Sequence, residues 1–103
     1  MGPHRKSSAQ SLAVMAALLE QTRSWRHGYA LSKATGLQSG TLYPILARLQ
    51  DRGYLESKWV EPAHPGRPPR HVFRLTPTGV AYAREVVSGQ EYVPRFRQDG
   101  VKA

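Results

Sequence analysis

The chain contains no cysteine at any of its 103 positions. Disulfides, thiolate nucleophiles and cysteine metal sites are therefore excluded, and a reducing compartment is compatible. Acidic residues are scarce: 7 Asp and Glu stand against 15 Lys and Arg, a formal net charge of +8. That imbalance favours a polyanionic partner such as DNA, RNA or an anionic membrane face, although it also fits a merely soluble basic protein. No apolar run approaches the roughly 20 residues of a membrane span. The stretch from Leu12 to Leu19 is too short and has no signal-peptide cleavage site after it. The expectation is a cytoplasmic protein with no membrane partner. Enzyme signatures are missing as well. There is no Gly-x-Ser-x-Gly elbow and no His-Glu-x-x-His, and the carboxylates are dispersed. The sequence reads as a non-enzyme without cofactor or metal. Glu61, His64 and His71 are the nearest approach to a metal set, and such a trio is far more often a solvated loop.

What is present is a clear succession of elements. Residues 1–7 form a polar arm with Arg5 and Lys6. Ser8 is an N-cap candidate for a helix reaching about Thr22. Leu12, Met15, Ala16 and Leu19 keep its core spacing, while Val14, Ala17 and Leu18 fall on another side. A helix apolar on more than one side is buried on more than one side, either against a second subunit or as a central helix of a small domain. A short second helix spans Gly28 to Thr35, with Leu31 and Ala34 inward and Gly36 at its end. Ser39 then caps a third helix to about Arg52, whose core stripe is Leu42, Ile45, Leu46 and Leu49. Two helices joined by a tight Gly-containing turn make a helix-turn-helix.

Strands follow at Tyr54–Val60 and Arg70–Leu75, the second with His71, Phe73 and Leu75 on one face. The proline-rich stretch 61–69 between them suits neither helix nor inner strand, so the pair is a hairpin with a stiff basic tip. Thr76 caps a last helix with Pro77 at its first position. The basic tail 90–103 reads as poorly ordered. The fold class is therefore mainly α with a small β-hairpin (α+β), in the winged helix-turn-helix order α-α-α-β-wing-β-α. The expected division is an arm at 1–7, a DNA-binding unit at 8–76, a dimerisation helix at 77–89 and a tail at 90–103.

Three places carry the functional reading. The outer face of the third helix offers Gly40, Tyr43, Pro44, Ala47 and Arg48, small enough in part to let its backbone approach a groove floor. Its first amides, around Gln38, Ser39, Gly40 and Thr41, have no intrahelical partners and suit a phosphate. Pro44 removes the N–H that would meet the Gly40 carbonyl and disturbs the helix beside Tyr43. The hairpin tip presents Arg67 and Arg70 with His71 beside them, as DNA contacts or as charges that aid solubility. Tyr29 and Lys33 on the second helix are weaker candidates for the backbone. Arg26, His27 and Lys33 fit phosphate contacts and ordinary surface charge equally. Trp59 is expected to cover the core edge, and Trp25 the loop after the first helix; stacking on a base or ligand is the other reading for both.

The runs His27-Gly28-Tyr29-Ala30-Leu31, Ser39-Gly40-Thr41-Leu42-Tyr43-Pro44, Gly53-Tyr54-Leu55-Glu56-Ser57, Gly66-Arg67-Pro68-Pro69-Arg70 and Phe73-Arg74-Leu75-Thr76, with Gly79, resemble the PadR family of transcriptional regulators. The resemblance covers roughly residues 12–86. It implies a repressor that binds a palindromic operator in double-stranded DNA as a homodimer. In many members it also implies release by a small, often aromatic, effector. Two features depart from the pattern. Ala30 stands where an acidic residue is common, and the last helix has no Trp, leaving Tyr82 as its aromatic residue. The brevity of the C-terminal region resembles the group with a single C-terminal helix. Val14, Leu18, Val80, Ala83, Val86 and Val87 are the expected dimerisation residues. The alternative function is a basic RNA- or ribosome-associated binding module.

Overall fold

A computed structural model describes residues 8–89. The arm at 1–7 and the tail at 90–103 lie outside the described residues. The element order is α1 (Ala9–Leu19), β1 (Arg26–His27), α2 (Gly28–Thr35), α3 (Ser39–Asp51), β2 (Leu55–Val60), β3 (Arg70–Leu75) and α4 (Pro77–Gly89). The fold is mainly α with a small three-stranded antiparallel sheet, ordered β1-β3-β2. Among the described residues, no helix is long and apolar enough to cross a membrane.

Helix α1 starts where expected, with the Ser8 hydroxyl accepting a hydrogen bond from the Ser11 amide at 3.1 Å. It ends earlier, at Leu19 rather than near Thr22. The reason is tertiary. The Ala17 carbonyl accepts from the Arg26 guanidinium at 2.8 Å, so a cation from β1 satisfies the helix C-terminus. Both apolar sides of α1 are covered by the chain itself. Val14 is 0% exposed and Leu18 1% exposed, in one cluster with residues of α2, α3, α4 and the sheet. Of the two readings of this helix, the central helix of a small domain is the one realised.

Helix α2 buries Gly28 and Leu31, with Thr35 half-buried. Ala34 is exposed, contrary to the sequence expectation, because it lies past the edge of the narrow stripe that positions 28, 31 and 35 form. Gly36 closes the helix at φ 76°, a left-handed conformation that an L side chain adopts at a cost. The Ser32 hydroxyl then donates to the Leu37 carbonyl at 2.6 Å and fixes the turn. Helix α3 is capped by Gln38, not Ser39. Its carbonyl accepts from the Thr41 and Leu42 amides at 2.9 Å each, and no side chain caps the end. The other end is a Schellman turn. The Tyr54 amide reaches the Leu49 carbonyl and the Gly53 amide the Gln50 carbonyl, both at 3.0 Å.

The hairpin register sets Leu55 opposite Leu75, Ser57 opposite Phe73, Trp59 opposite His71 and Val60 opposite Arg70. Alternation places Ser57, Trp59, His71 and Phe73 on one face of the sheet, the face on which α3 packs. Val72, on the other face, is buried too. Trp59 does not cover the core edge: it is 65% exposed. Strand β2 runs out past the core, and only Leu55 at its start is buried. The two-residue strand β1, absent from the sequence expectation, pairs Arg26 with Phe73 and His27 with Val72. The Thr76 hydroxyl accepts from the Gly79 amide at 2.9 Å, capping α4, and donates to the Gly53 carbonyl at 2.8 Å. One side chain thereby ties the start of α4 to the end of α3.

Candidate nucleic-acid interface

Helix α3 has one buried face and one open face. Leu42, Ile45, Leu46 and Leu49 are in the core, whereas Gly40, Tyr43, Pro44, Ala47 and Arg48 are exposed, as are Gln38 and Ser39 before them; Thr41 is half-buried. The open face is therefore almost free of long side chains up to Arg48. Between α2 and α3 lies an open cleft of about 530 Å³, lined by Gly28, Tyr29, Ser32, Gln38, Ser39 and Tyr43. Both helix N-termini border it, so unpaired amides and three kinds of side-chain hydrogen-bonding group converge there. Tyr29 is 73% exposed at its rim, with the Lys33 ammonium 5.5 Å from the ring centroid.

Tyr43 occupies an intermediate position that periodicity alone does not reveal. It is 39% exposed, but its ring also meets Phe73 at 5.9 Å, and its phenol oxygen lies against Gly28. A Cβ at Gly28 would overlap that oxygen, so glycine at this place is a socket for the tyrosine. The two readings of Tyr43, open face and packing flank, both apply to parts of the same side chain.

The wing spans residues 61–69, with Gly66 at φ 90°. Arg67 and Arg70 are exposed, and neither forms an ion pair among the described residues. His71, beside them, is half-buried and stacked on Trp59, with ring centroids 4.3 Å apart and planes at 12°, and its ring centroid lies 4.5 Å from that of Phe73. Its stacked ring holds the indole at the base of the wing. Glu61, His64 and His71 do not gather, and among the described residues no group of three or more His, Asp or Glu is placed to hold a metal.

Of the Arg26, His27 and Lys33 trio, two are structural. Arg26 caps α1. His27 sits half-buried in β1, and its Nδ1 is buried with no hydrogen-bond partner among the described residues. Only Lys33 is exposed. Trp25 lies half-buried between the Lys58 ammonium at 4.5 Å and the Arg74 guanidinium at 4.2 Å. Arg74 is held in turn by Glu56 at 3.1 Å.

The expected dimerisation set divides. Val14, Leu18 and Ala83 are corrected: all three are buried within this chain, where α4 packs on α1, and offer no surface to a partner. Val80, Val86 and Val87 stay half-buried at the margin of the core. Tyr82 is stacked on Tyr54 at 4.0 Å with planes at 3°, so it already has an aromatic partner within the chain.

Comparison with known proteins places this geometry in a family. Residues 15–85 match the transcriptional regulator PadR-like family. Among curated proteins, none matches the sequence. Among solved structures, a PadR-like transcription factor from Bacteroides fragilis is 27% identical, with a TM-score of 0.61 and 77% of each chain covered. A protein of Streptococcus mutans is 26% identical, with a TM-score of 0.63, covering 84% of this chain and 82% of that one. BpsR of Bordetella bronchiseptica, whose DNA binding is regulated by 6-hydroxynicotinic acid, is 27% identical with a TM-score of 0.66. The match covers 84% of this chain but only 57% of BpsR. With more than half of its length matched, and with the helix-turn-helix and wing that DNA-binding regulators share, the chain belongs to the PadR-like family of transcriptional regulators.

Proposed function

We propose that this chain is a sequence-specific repressor in the cytoplasm that binds a palindromic DNA operator as a homodimer. In this reading residues 8–76 bind DNA and α4, within 77–89, joins the subunits. The observation that carries the proposal is the open face of α3. Gly40, Tyr43, Pro44, Ala47 and Arg48 are exposed on one side of a helix whose other side is core, and the exposed Arg67 and Arg70 lie on the neighbouring wing. That face suits the floor of a major groove, with Tyr43 and Arg48 reaching bases or phosphates. The amides at Gln38, Ser39 and Gly40 suit a phosphate, whereas the Thr41 amide is already bonded to the Gln38 carbonyl, and Tyr29 and Lys33 flank the cleft along which that strand would run. Two such helices about 34 Å apart would enter successive major grooves. Release by a small aromatic effector completes the proposal, by analogy with the ligand-regulated BpsR.

Selection of bound sites from a random duplex pool tests this directly. The expected outcome is a palindromic consensus bound in excess random DNA. If a dimer neutralises about 6 to 10 phosphates, log K falls with log salt at a slope of roughly −5 to −9. A slope near zero, or a preference for RNA at equal salt, would overturn the proposal.

A further inference from the structure

The two tryptophans of this chain are treated differently by the fold. Trp25 is half-buried between two cations. Trp59 is 65% exposed, and among the described residues its ring has only His71 as an aromatic or cationic partner. An indole left in water forgoes much of the stabilisation that its burial would bring. This one is nonetheless fixed in place. His71 stacks parallel on it, Phe73 lies beside His71 on the same strand with the planes tilted by 40°, and Phe73 is itself anchored in the core. The row of rings continues through Phe73 to Tyr43 on α3. Tyr43, Phe73, His71 and Trp59 therefore form a chain of ring contacts on the α3 side of the sheet, running out along β3 and across to β2 at the base of the wing. Val60 and its partner Arg70 follow on the opposite face of the strand pair, and the exposed Arg67 lies in the wing beyond. A flat apolar surface linked through these rings to the open face of α3, at the base of a basic wing, fits the sugars of a nucleic-acid strand whose phosphates meet those two elements.

We infer that Trp59, held flat on His71, is a third DNA-contacting element, packing on the deoxyribose of the strand that passes between α3 and the wing. The inference rests on the proposed DNA-binding function and adds a contact that is neither a base reader nor a phosphate anchor. His71 is a positioning residue: it keeps the indole in one orientation, so little freedom is lost when DNA docks. Since Trp59 carries no charge, its contact releases no counterion and leaves the salt slope untouched.

Trp25→Phe leaves Trp59 as the only indole and keeps an aromatic ring between Lys58 and Arg74. Its emission is followed while the protein is titrated at low salt with a mixed-sequence duplex of roughly three helical turns. The expected result is a blue shift or quench that saturates with binding, as read in parallel by anisotropy of the labelled duplex. Trp59→Ala should weaken duplex binding about tenfold with an unchanged salt slope, Trp59→Phe should retain most of the affinity, and His71→Ala should lose about threefold. Emission that stays constant at saturating duplex overturns the inference, as does a folded Trp59→Ala variant that binds within about twofold of the parent. A Trp59→Ala change that alters sedimentation but not DNA affinity assigns this face to a second copy of the chain and overturns it too. Should Trp59→Ala melt early, the emission of the Trp25→Phe protein decides alone. Failure of the parent chain to bind any duplex would instead overturn the DNA-binding proposal itself, and this contact with it.

Discussion

The phenol of Tyr43 rests against Gly28, close enough that any side chain at Gly28 would collide with it. One residue opens α2 and the other lies on the outer half of α3, so the contact sets how the two helices of the helix-turn-helix meet. Gly28→Ala should therefore destabilise the protein by about 1–3 kcal/mol from overpacking, opposed by the roughly 0.5–1 kcal/mol that Ala gains over Gly in a helix. Combining it with Tyr43→Ala should remove most of that penalty, because the obstructing ring is gone. Thermal melts of the four proteins in the cycle check this. Additive losses would mean that the two residues are not coupled.

Recognition and anchoring separate by mutation. Tyr43→Ala should cost operator binding about 1–3 kcal/mol per half-site and random-sequence binding little. Its packing on Phe73 adds a modest stability loss, so binding must be read well below the melting transition. Replacing Arg67 and Arg70 together should weaken operator and random DNA alike. The salt slope should flatten by roughly one unit for each phosphate that is no longer neutralised. If the wing variant loses only sequence preference while the Tyr43 variant loses both modes equally, the assignment of the two elements is reversed.

Self-association is best tested at the margin of α4. Truncation after Gly79 would strip Ala83 from the core, so its effect on association could not be told from unfolding. Val87→Glu places a charge on a half-buried side chain at the edge of the core instead. It should convert a dimer into monomers in sedimentation at micromolar concentration, with the melt retained and operator affinity sharply reduced. A parent chain that is already monomeric there, and still binds one half-site tightly, would remove the dimer from the proposal.

Gly79 distinguishes helix propensity from close approach. Within a helix, Ala is ordinarily favoured over Gly by about 0.5–1 kcal/mol. Here a Cβ would run into the Tyr54 carbonyl, a backbone atom that cannot swing aside. Gly79→Ala should accordingly destabilise by more than about 2 kcal/mol, visible as a lowered melting temperature. A variant as stable as the parent would show that α4 can shift away from the Tyr54 backbone at little cost.

Local pattern carries a long way in this chain. The stripe Leu42, Ile45, Leu46 and Leu49 has the period of a helix with one wet face, so the open face of α3 follows from residue order alone. Ser8 and Thr76 cap as their side chains dictate, and Gly36 and Gly53 take up the left-handed conformations that end two helices. The prolines around Gly66 exclude regular structure and thereby define a wing. These are short-range effects, complete within a few residues. Folding adds what depends on residues distant in sequence. A strand of two residues has no period, and β1 exists because β3 lies beside it. Arg26 caps α1 because pairing of β1 with β3 brings its guanidinium to the end of that helix. Val14, Leu18 and Ala83 are core rather than interface because α4 folds back on α1. Trp59 stands at the base of the wing rather than over the core edge, because the cross-strand register stacks it on His71 beyond the reach of the core. Periodicity states which side chains share a face, but only packing states what that face meets.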